Sequence, residues 1–262
     1  MINLKVHFTS IKGRRNNNED AHNIILNSNS QDQELNNINF FAIYDGHGGD
    51  WVSKYLSKNL PKYYCKKDYQ YPFSKEYHNE VFNKLQKEIL NDKNGEISGS
   101  TCLLNLMYKL DNNIHMNFVN LGDCRAVIVY DNGSFKQITT DHKPDDINEK
   151  KRIEDMKGEI YEDTEGIHRV GDLSVSRSFG DGDNAPFISF EPDVHYHKVV
   201  ENTKYIVMGC DGLWDVIENK NLYKILENIK KENKKNIAVE LVNTALNKDS
   251  HDNISVIVIE II

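Results

Sequence analysis

Carboxylates follow strand-like apolar segments at two points of this chain, with glycine as the next residue each time. Residues 40–44 end in Asp45-Gly46, and residues 205–208 are followed within a few positions by Asp211-Gly212. A carboxylate at the end of a buried strand is held rigidly, and glycine lets the backbone and a ligand approach closely. This arrangement suits a metal ion, which needs fixed oxygen ligands and room for water. A lone Asp-Gly pair is more often only a turn, so the other carboxylates matter.

More carboxylates stand beside other strand-like segments. They are Glu19 and Asp20 before residues 24–26, Gly122-Asp123 after residues 114–121, Asp215 after Asp211, and Asp252 before residues 254–261. Their recurrence beside strands predicts that they converge on one site. Hard oxygen ligands without a Cys or His cluster favour Mg²⁺ or Mn²⁺ over zinc. Taken singly, each could instead lie in a turn or on a solvated edge.

The overall charge bears on the kind of partner. The chain has 262 residues, with 40 acidic against 32 basic ones and a formal net charge of −8. This excess of acid argues against nucleic acid as a partner, because neutralising phosphates needs clustered Lys and Arg. A group of cation-binding carboxylates would also add to the acidic count.

Cysteine usage and apolar segments bear on the compartment. The four cysteines, Cys65, Cys102, Cys124 and Cys210, lack any Cys-x-x-Cys spacing, which predicts reduced thiols in a reducing compartment. The N-terminal segment has no apolar signal core, and residues 254–262 form an interrupted stretch far too short to span a bilayer. We therefore expect a soluble protein of the cytoplasm and/or nucleus, without signal peptide or transmembrane segment.

Two kinds of periodicity indicate the fold class. Strand-like runs cover residues 4–8, 24–26, 40–44, 102–108, 114–121, 126–130, 205–208 and 254–261, and apolar stripes at helical spacing lie within residues 51–56, 81–89, 222–229 and 238–246. Lys143-Pro144-Asp145 predicts the start of a helix that ends near Met156. Because strands cluster instead of alternating with helices, we predict an α+β fold with antiparallel sheets covered by helices. Without a linker or a repeat, residues 1–262 are predicted to form one domain.

Further motifs connect the acidic positions. They are Ser98-Gly99-Ser100-Thr101, Asn120-Leu121-Gly122-Asp123-Cys124-Arg125-Ala126, Asp141-His142-Lys143-Pro144, Leu173-Ser174-Val175-Ser176-Arg177-Ser178-Phe179-Gly180-Asp181 and Glu191-Pro192-Asp193. In this order and spacing, the motifs closely resemble those of the metal-dependent protein phosphatases of type 2C, over essentially the whole chain. The resemblance implies a four-layer α-β-β-α sandwich, in which helices flank two central antiparallel sheets and a two-metal centre lies in a cleft at one end.

The resemblance also implies a role for each acidic position. In this chain, the resemblance implies that Asp45 bridges the two metals and that Asp211 and Asp252 complete the ligands of the first metal. Glu19 and the Gly46 carbonyl would hold the second metal. Asp20 would lie in the second shell of ligands or near it, and Arg15 would bind the substrate phosphate. Asp123 and Asp215 match positions that hold a third, more weakly bound metal. The implied activity is hydrolysis of phosphoserine and phosphothreonine in phosphoproteins.

The chemistry is consistent with these residue types. A dianionic phosphomonoester repels an anionic nucleophile. Two divalent ions neutralise that charge and can supply a bridging hydroxide in line with phosphorus. Arg15 can donate a fork of two hydrogen bonds to phosphate oxygens. His47 can protonate the departing seryl or threonyl oxygen, or alternatively orient a metal-bound water. The chain contains no Cys-x5-Arg phosphate loop, so we expect no covalent phosphoenzyme.

Two regions leave alternatives open. Residues 159–169, within a segment of about 159–190, correspond to the mobile flap of the family, and their charges suit an exposed loop that selects substrates or only a solvated face. We interpret the Arg177 motif as mainly structural, linking this flap to the core. Cys124 stands where the family commonly has serine, and Cys210 directly precedes Asp211. Either thiol could make activity sensitive to oxidants, although a small buried side chain is the simpler interpretation.

Two other classes of function remain as hypotheses. The same fold could serve as a binding module without turnover, although all four principal metal positions carry carboxylates here. The second hypothesis is a hydrolase of small phosphoesters or nucleotides, although the chain has no Gly-rich nucleotide-binding loop. A substrate panel separates these hypotheses from a protein phosphatase, which we expect to act as a monomer away from membranes.

Overall fold

Most central strands of this chain are apolar on both faces, so each sheet has to be covered on two sides. The computed structural model describes residues 4–26, 38–65 and 71–262. The described residues form fifteen strands: β1 (Leu4–Ile11), β2 (Ala21–Ile25), β3 (Asn39–Tyr44), β4 (Gly46–His47), β5 (Gly99–Ser100), β6 (Cys102–Leu110), β7 (Asn113–Leu121), β8 (Arg125–Tyr130), β9 (Phe135–Gln137), β10 (Ile160–Glu162), β11 (His168–Val170), β12 (Phe179–Gly180), β13 (Asp193–Lys198), β14 (Thr203–Gly209) and β15 (Ile254–Ile261).

Eight α-helices accompany these strands in the described part of the chain. They are α1 (Trp51–Asn59), α2 (Pro61–Tyr64), α3 (Lys75–Ile89), α4 (Lys93–Ile97), α5 (Ile147–Asp155), α6 (Asp211–Trp214), α7 (Leu222–Lys231) and α8 (Ile237–Asn247). Side chains cap several of them, as in α5, where Asp146 accepts hydrogen bonds from the backbone N–H groups of Asn148 and Glu149. The predicted start of this helix is thus a few residues early, because Asp146 and not the Pro144 turn supplies the cap.

Two five-stranded antiparallel sheets form the centre of the fold. The first, sheet I, has the order β1-β15-β14-β8-β9, and the second, sheet II, has the order β13-β7-β6-β3-β2. Pairing within both is antiparallel, as predicted. Two small sheets, β10-β11 and β12-β5-β4, lie outside this pair.

Strand periodicity divides the apolar side chains among three layers of core. Within β3, Phe41 and Ile43 face one core while Phe40, Ala42 and Tyr44 face another, because successive side chains alternate between the faces of a strand. The central core lies between the sheets and includes Leu103 and Phe118 of sheet II with Ile128, Ile206 and Ile257 of sheet I. Sheet II packs its other face on α1 to α3, and sheet I packs its other face on α6 to α8. The result is the predicted four-layer α-β-β-α sandwich.

The structure differs from the predicted elements at the sheet edges. β2 covers Ala21–Ile25 and pairs with β3, so it begins earlier than predicted, and Leu26 follows it with 51% of its surface exposed. The edge strands β9 and β13 carry few apolar residues and therefore lack the pattern that marks a buried strand. Residues 159–169, expected as an exposed loop, lie almost entirely in the β10-β11 hairpin, which ends at Val170. Across the hairpin, Asp163 accepts a hydrogen bond from Arg169 at 2.7 Å.

A buried ion-pair network connects α5 to the segment that carries the Arg177 motif. Glu149, with 2% of its side chain exposed, accepts hydrogen bonds from Arg152, Arg177 and the hydroxyl of Ser176. Arg177 also donates to Asp193 at 3.2 Å. Burial opposes ionisation of Glu149, but the hydrogen bond and charge of Arg177 outweigh it, and the pKa of Glu149 falls to about 2. The Arg177 motif therefore joins neighbouring segments through a carboxylate that stays charged.

Replacing Glu149 with glutamine is expected to lower the free energy of unfolding by about 3 kcal/mol at pH 7, because two partly buried guanidinium groups lose the carboxylate that they share. Since the pKa of Glu149 is below its ordinary value of 4.5 in the folded state, its charge stabilises the fold above that value. This contribution is lost as the pH falls from about 4.5 towards about 2. Urea denaturation at several pH values measures the difference, which should shrink over this window.

Glu154→Gln is the matched control on the same helix. Glu154 and its partner Lys150 are both more than half exposed and lie 3.9 Å apart, so we expect a change within about 0.5 kcal/mol. A difference between Glu149→Gln and the wild type that stays constant from pH 7 to below pH 3 would contradict ionisation as the source of the stabilisation.

Candidate metal centre

The ends of several strands open into one cleft, with a volume of about 510 Å³. β3 ends just before Asp45, β14 leads through Cys210 to Asp211, and β7 ends before Gly122-Asp123. Among the predicted site residues, the cleft is lined by Arg15, Glu19, Asp45, Gly46, His47, Asp123, Asp211 and Asp252. Residues that were far apart in the sequence thus share one cavity.

Three carboxylates come particularly close together. One oxygen from each of Asp45, Asp123 and Asp211 lies within 4.8 Å of the other two. Asp45 also belongs to a second group, with Asp20 and the thiol of Cys210, that meets the same limit. Asp45 is the member common to both groups, which suits the bridging position expected from the sequence.

Burial and mutual repulsion raise the pKa values of these carboxyls. Burial raises the pKa of Asp45 well above its ordinary value, and the charges of Asp211 and Asp20 raise it further. Burial likewise raises the pKa of Asp211, with a further contribution from Asp123. The pKa of Asp20 rises to about 6, chiefly through burial, although a hydrogen bond from Ser255 opposes the shift. Several acids forced together in this way need positive charge to remain ionised.

The composition of the cluster fits a divalent metal ion. Its ligand atoms are mainly carboxylate oxygens, the set that Mg²⁺ and Mn²⁺ prefer. Asp20 Oδ1 is buried, and among the described residues it has no hydrogen-bond partner. A buried, unsatisfied oxygen among repelling carboxylates is stabilised by a bound cation.

Two basic side chains face this cluster. Arg15 donates to Asp252 Oδ2 at 2.7 Å while 61% of its side chain stays exposed. Lys143 Nζ lies 3.0 Å from Asp123 Oδ2. Although burial opposes its charge, Asp123 and Asp215 raise the pKa of Lys143. These two cations offset part of the negative charge, and Lys143 had not been assigned to the site from the sequence.

The remaining acidic positions lie around the cluster. Glu19 lines the cleft, where its Oε2 accepts from the backbone N–H of Gly49 at 3.1 Å. Asp215 follows α6, and burial raises its pKa while Lys143 lowers it and Asp123 raises it. Asp123 thus lies in the close group with Asp45 and Asp211. Asp215 is outside that group, but it is close enough for the charge of Asp123 to raise its pKa.

Backbone contacts hold the predicted ligands in place. Asp45 donates its N–H to Thr101 Oγ1 at 3.1 Å and accepts from the N–H of Thr101 at 2.9 Å. Asn253 accepts from the N–H of Glu19 at 2.8 Å and donates to two backbone carbonyls, those of Lys12 and Asn17. The side chain next to Asp252 therefore ties the Glu19 loop to the start of β15.

Gly46 meets a steric requirement at the site. A Cβ atom at this position would lie 2.3 Å from the backbone oxygen of Glu19 and 3.0 Å from Ser53 Oγ. Any side chain would push the Glu19 loop away from Asp45. The glycine in the Asp45-Gly46 pair is thus needed for the close approach of two ligand-bearing segments, in addition to its role in the turn.

His47 lies in the cleft with a carboxylate partner. Its Nε2 donates to Asp181 Oδ2 at 2.7 Å, and 27% of its side chain is exposed against 4% for Asp181. Sequence reasoning had assigned no function to Asp181, to Thr101 or to Asn253. Asp181 and Thr101 end two of the motifs named above, and Asn253 directly follows Asp252, but spacing in the sequence does not reveal which side chain each one contacts.

Both unusual cysteines are fully buried beside the site. Burial raises the thiol pKa of Cys124 and of Cys210 well above the ordinary value. Cys210 Sγ donates to the carbonyl of Asn253 at 3.3 Å, and Cys124 Sγ lies 3.2 Å from Thr101 Oγ1. A protonated, enclosed thiol reacts slowly with oxidants, which favours the packing interpretation over redox control.

Comparison with known proteins identifies the family. Residues 4–254 match the family described as Protein phosphatase 2C. Probable protein phosphatase 2C 9 of Arabidopsis thaliana is 33% identical over 258 residues, covering 98% of this chain and 88% of that protein. Protein phosphatase 1B of Homo sapiens is 30% identical over 297 residues, covering 98% of this chain and 57% of that protein. A phosphatase structure from Toxoplasma gondii shares the fold, with a TM-score of 0.85 at 20% identity, covering 99% and 93% of the two chains.

The sandwich and its acidic cleft are those of a metal-dependent protein phosphatase. The chain belongs to the protein phosphatase 2C family, and it is therefore a serine/threonine phosphatase. Within the described residues, no helix is both long enough and apolar enough to cross a membrane.

Proposed function

We propose that this protein hydrolyses phosphoserine and phosphothreonine in protein substrates with two divalent ions, Mg²⁺ or Mn²⁺, and a third, weaker one at Asp123 and Asp215. The observation that carries the proposal is the convergence of Asp45, Asp123 and Asp211 within 4.8 Å in a cleft that Arg15 and His47 also line. Asp45 would bridge two ions. Asp211 and Asp252 would complete the ligands of the first ion. Glu19 and the Gly46 carbonyl would hold the second ion, and Asp20 would lie beside these ligands.

Two divalent ions held there would neutralise the phosphate charge and supply a hydroxide for direct attack on phosphorus, so that no phosphoenzyme would form. The protein positions the phosphate opposite the carboxylate cluster. Arg15, which is mostly exposed beside Asp252, would donate two hydrogen bonds to phosphate oxygens. A guanidinium at this place orients the ester bond and offsets charge on oxygens that the carboxylates would otherwise repel.

His47 would donate a proton to the departing seryl or threonyl oxygen. An alkoxide is a poor leaving group, so proton transfer as the bond breaks lowers the barrier, typically by a factor of about 10²–10⁴. The ring lies at the cleft with Nε2 on Asp181, which leaves Nδ1 without a hydrogen bond among the described residues. With the Nε2 proton held on Asp181, the proton that would leave is the one that the imidazolium form of the ring carries on Nδ1.

The broader assignments belong to the same proposal. Residues 1–262 would form a single catalytic domain in which residues 159–190 act as the flap. The β10-β11 hairpin and the presence of residues 172–175 at the cleft support this assignment. The four cysteines, all within the described residues, form no disulfide, which supports a reducing compartment such as the cytoplasm or nucleus. We propose that the protein is a monomer, that its partners are phosphoproteins, and that it binds neither nucleic acid nor membranes.

Hydrolysis of a phosphothreonine peptide by the purified protein tests the proposed function. We expect turnover with Mn²⁺ or Mg²⁺ and a fall of at least about 10³-fold with chelator, because the metal contribution is worth several kcal/mol. Phosphate release should recover when metal is restored. The same panel should include a nucleotide and a sugar phosphate, for which we expect a lower kcat/KM than for the peptide.

Each contrary outcome contradicts a different part of the proposal. If the folded protein shows no turnover with either metal, phosphoprotein binding without catalysis becomes the better hypothesis. If kcat/KM is higher for the small phosphoesters than for the peptide, the natural substrates are metabolites and not proteins. Full turnover in chelator would contradict the metal assignment altogether.

A further inference from the structure

The small sheet β12-β5-β4 brings together two polar residues that are 134 positions apart. His47 in β4 pairs with Gly99 in β5, and Gly99 pairs on its other side with Gly180 in β12, next to Asp181. His47 Nε2 and Asp181 Oδ2 meet over this strand at 2.7 Å. The contact thus results from two strand registers and not from local sequence.

Asp181 is held firmly in this position. Its side chain is 4% exposed, and its backbone N–H donates to the carbonyl of Ser98 at 3.1 Å. The hydroxyl of Ser178 donates to the same carboxylate oxygen that His47 contacts. A buried carboxylate with two donors on one oxygen has little freedom to turn away from the imidazole.

The space for this pair exists because residue 99 is glycine. A Cβ atom there would lie 2.1 Å from Asp181 Oδ2 and 2.4 Å from His47 Nε2. Both distances are far below a van der Waals contact, so any larger residue would separate the two side chains. Glycine at this position therefore matters for the His47–Asp181 contact itself.

We propose that Asp181 is a positioning residue for the reaction: it fixes the imidazole of His47 with Nε2 turned away from the substrate and Nδ1 facing the cleft. The inference rests on the proposed role of His47 as proton donor. A histidine with free rotation about its side chain would present Nδ1 to the leaving oxygen only part of the time. The fixed orientation delivers the proton where the phosphate ester bond breaks.

The test compares two leaving groups in Asp181→Asn. A neutral amide is a weaker acceptor than a carboxylate and can also present its NH₂ to the ring, so the orientation of His47 is no longer determined. We expect kcat for a phosphothreonine peptide to fall about 10- to 100-fold. For p-nitrophenyl phosphate, whose leaving group needs no proton, we expect less than about a threefold change. KM and the metal affinity from calorimetry should stay close to wild type.

Two further variants keep the result interpretable. Gly99→Ala separates the pair sterically and should show the same dependence on the leaving group, even if Asp181→Asn proves unstable. Ser176→Ala is the control, because it removes another buried serine-to-carboxylate hydrogen bond, to Glu149 at 2.8 Å, without contact to His47. It should show no dependence on the leaving group. The double variant of Asp181→Asn with His47→Gln should lose no more than His47→Gln alone.

The outcomes separate this inference from the proposed function. Equal losses on both substrates in Asp181→Asn, or losses that multiply in the double variant, would overturn the positioning role while leaving the phosphatase activity established. A wild-type protein that hydrolyses neither substrate with metal would instead overturn the proposed function.

Discussion

Replacing Asp45 with asparagine is expected to reduce kcat for phosphopeptide hydrolysis by at least about 10³-fold and to weaken metal binding. Asp45 is the carboxylate shared by the two groups of potential ligands, so its loss affects both positions at once. An amide oxygen carries no charge and can bridge two cations only weakly, and each lost increment of 1.36 kcal/mol costs a factor of ten in rate. Steady-state kinetics and calorimetric titration with Mn²⁺ measure the two effects.

The same variant should not unfold. Burial and the neighbouring carboxylates Asp211 and Asp20 already raise the pKa of Asp45, so a neutral side chain relieves repulsion in the metal-free protein. We expect its thermal midpoint without metal to equal or exceed that of the wild type. Glu227→Gln is the control: this glutamate lies on α7, away from the cleft, and pairs with Lys204 of β14, so its replacement should leave kcat unchanged. Near-normal turnover in Asp45→Asn would show that this residue does not bridge the metals.

Replacing His47 with glutamine is expected to slow phosphothreonine hydrolysis by about 10²–10⁴-fold, the usual contribution of a general acid. Hydrolysis of an aryl phosphate should fall far less, because a phenolate leaves without a proton. Glutamine keeps a hydrogen-bonding group of similar size near Asp181 but cannot transfer a proton. Parallel measurement of kcat on both substrates, at saturating metal, gives the ratio that distinguishes proton donation from a structural effect.

Equal losses on both substrates would remove His47 from the acid role. They would favour the other role considered for it, that of orienting water at the metals, because such an effect acts on the attacking group whatever leaves. Calorimetry on the His47→Gln variant then decides whether metal affinity falls as well. The position of His47 immediately after Gly46 makes that control necessary.

The fold class and the apolar layers could be predicted from the sequence because they depend on local periodicity. Residues 40–44 and 205–208 are continuous apolar runs, and such runs occur in strands that are buried on both faces. Edge strands such as β13, with the residues Asp193–Lys198, escaped prediction because one of their faces meets water and the apolar pattern disappears. The resemblance to the type 2C phosphatases supplied the layer order, which periodicity alone does not determine.

The candidate site could be predicted in its residue types more fully than in its contacts. Asp45, Asp211 and Asp252 could be predicted as a group because carboxylates recur beside apolar strands, whereas each one alone could have been a turn residue. The pairing of Arg15 with Asp252 spans 237 positions, and the contact of Lys143 with Asp123 joins two loops. Neither contact follows from composition or spacing, because both depend on how separate loops pack.

The sequence by itself determined which side chains this protein can use: a set of oxygen ligands beside strands, one arginine and one histidine, on a chain able to build two covered sheets. Only the tertiary structure decided which of them meet. Strand register across Gly99 places Asp181 on His47, and the convergence of β3, β7 and β14 places Asp123 with Asp45 and Asp211. The physical reason is that periodicity encodes the face on which a residue lies, whereas contacts between distant residues depend on register and packing of the whole core.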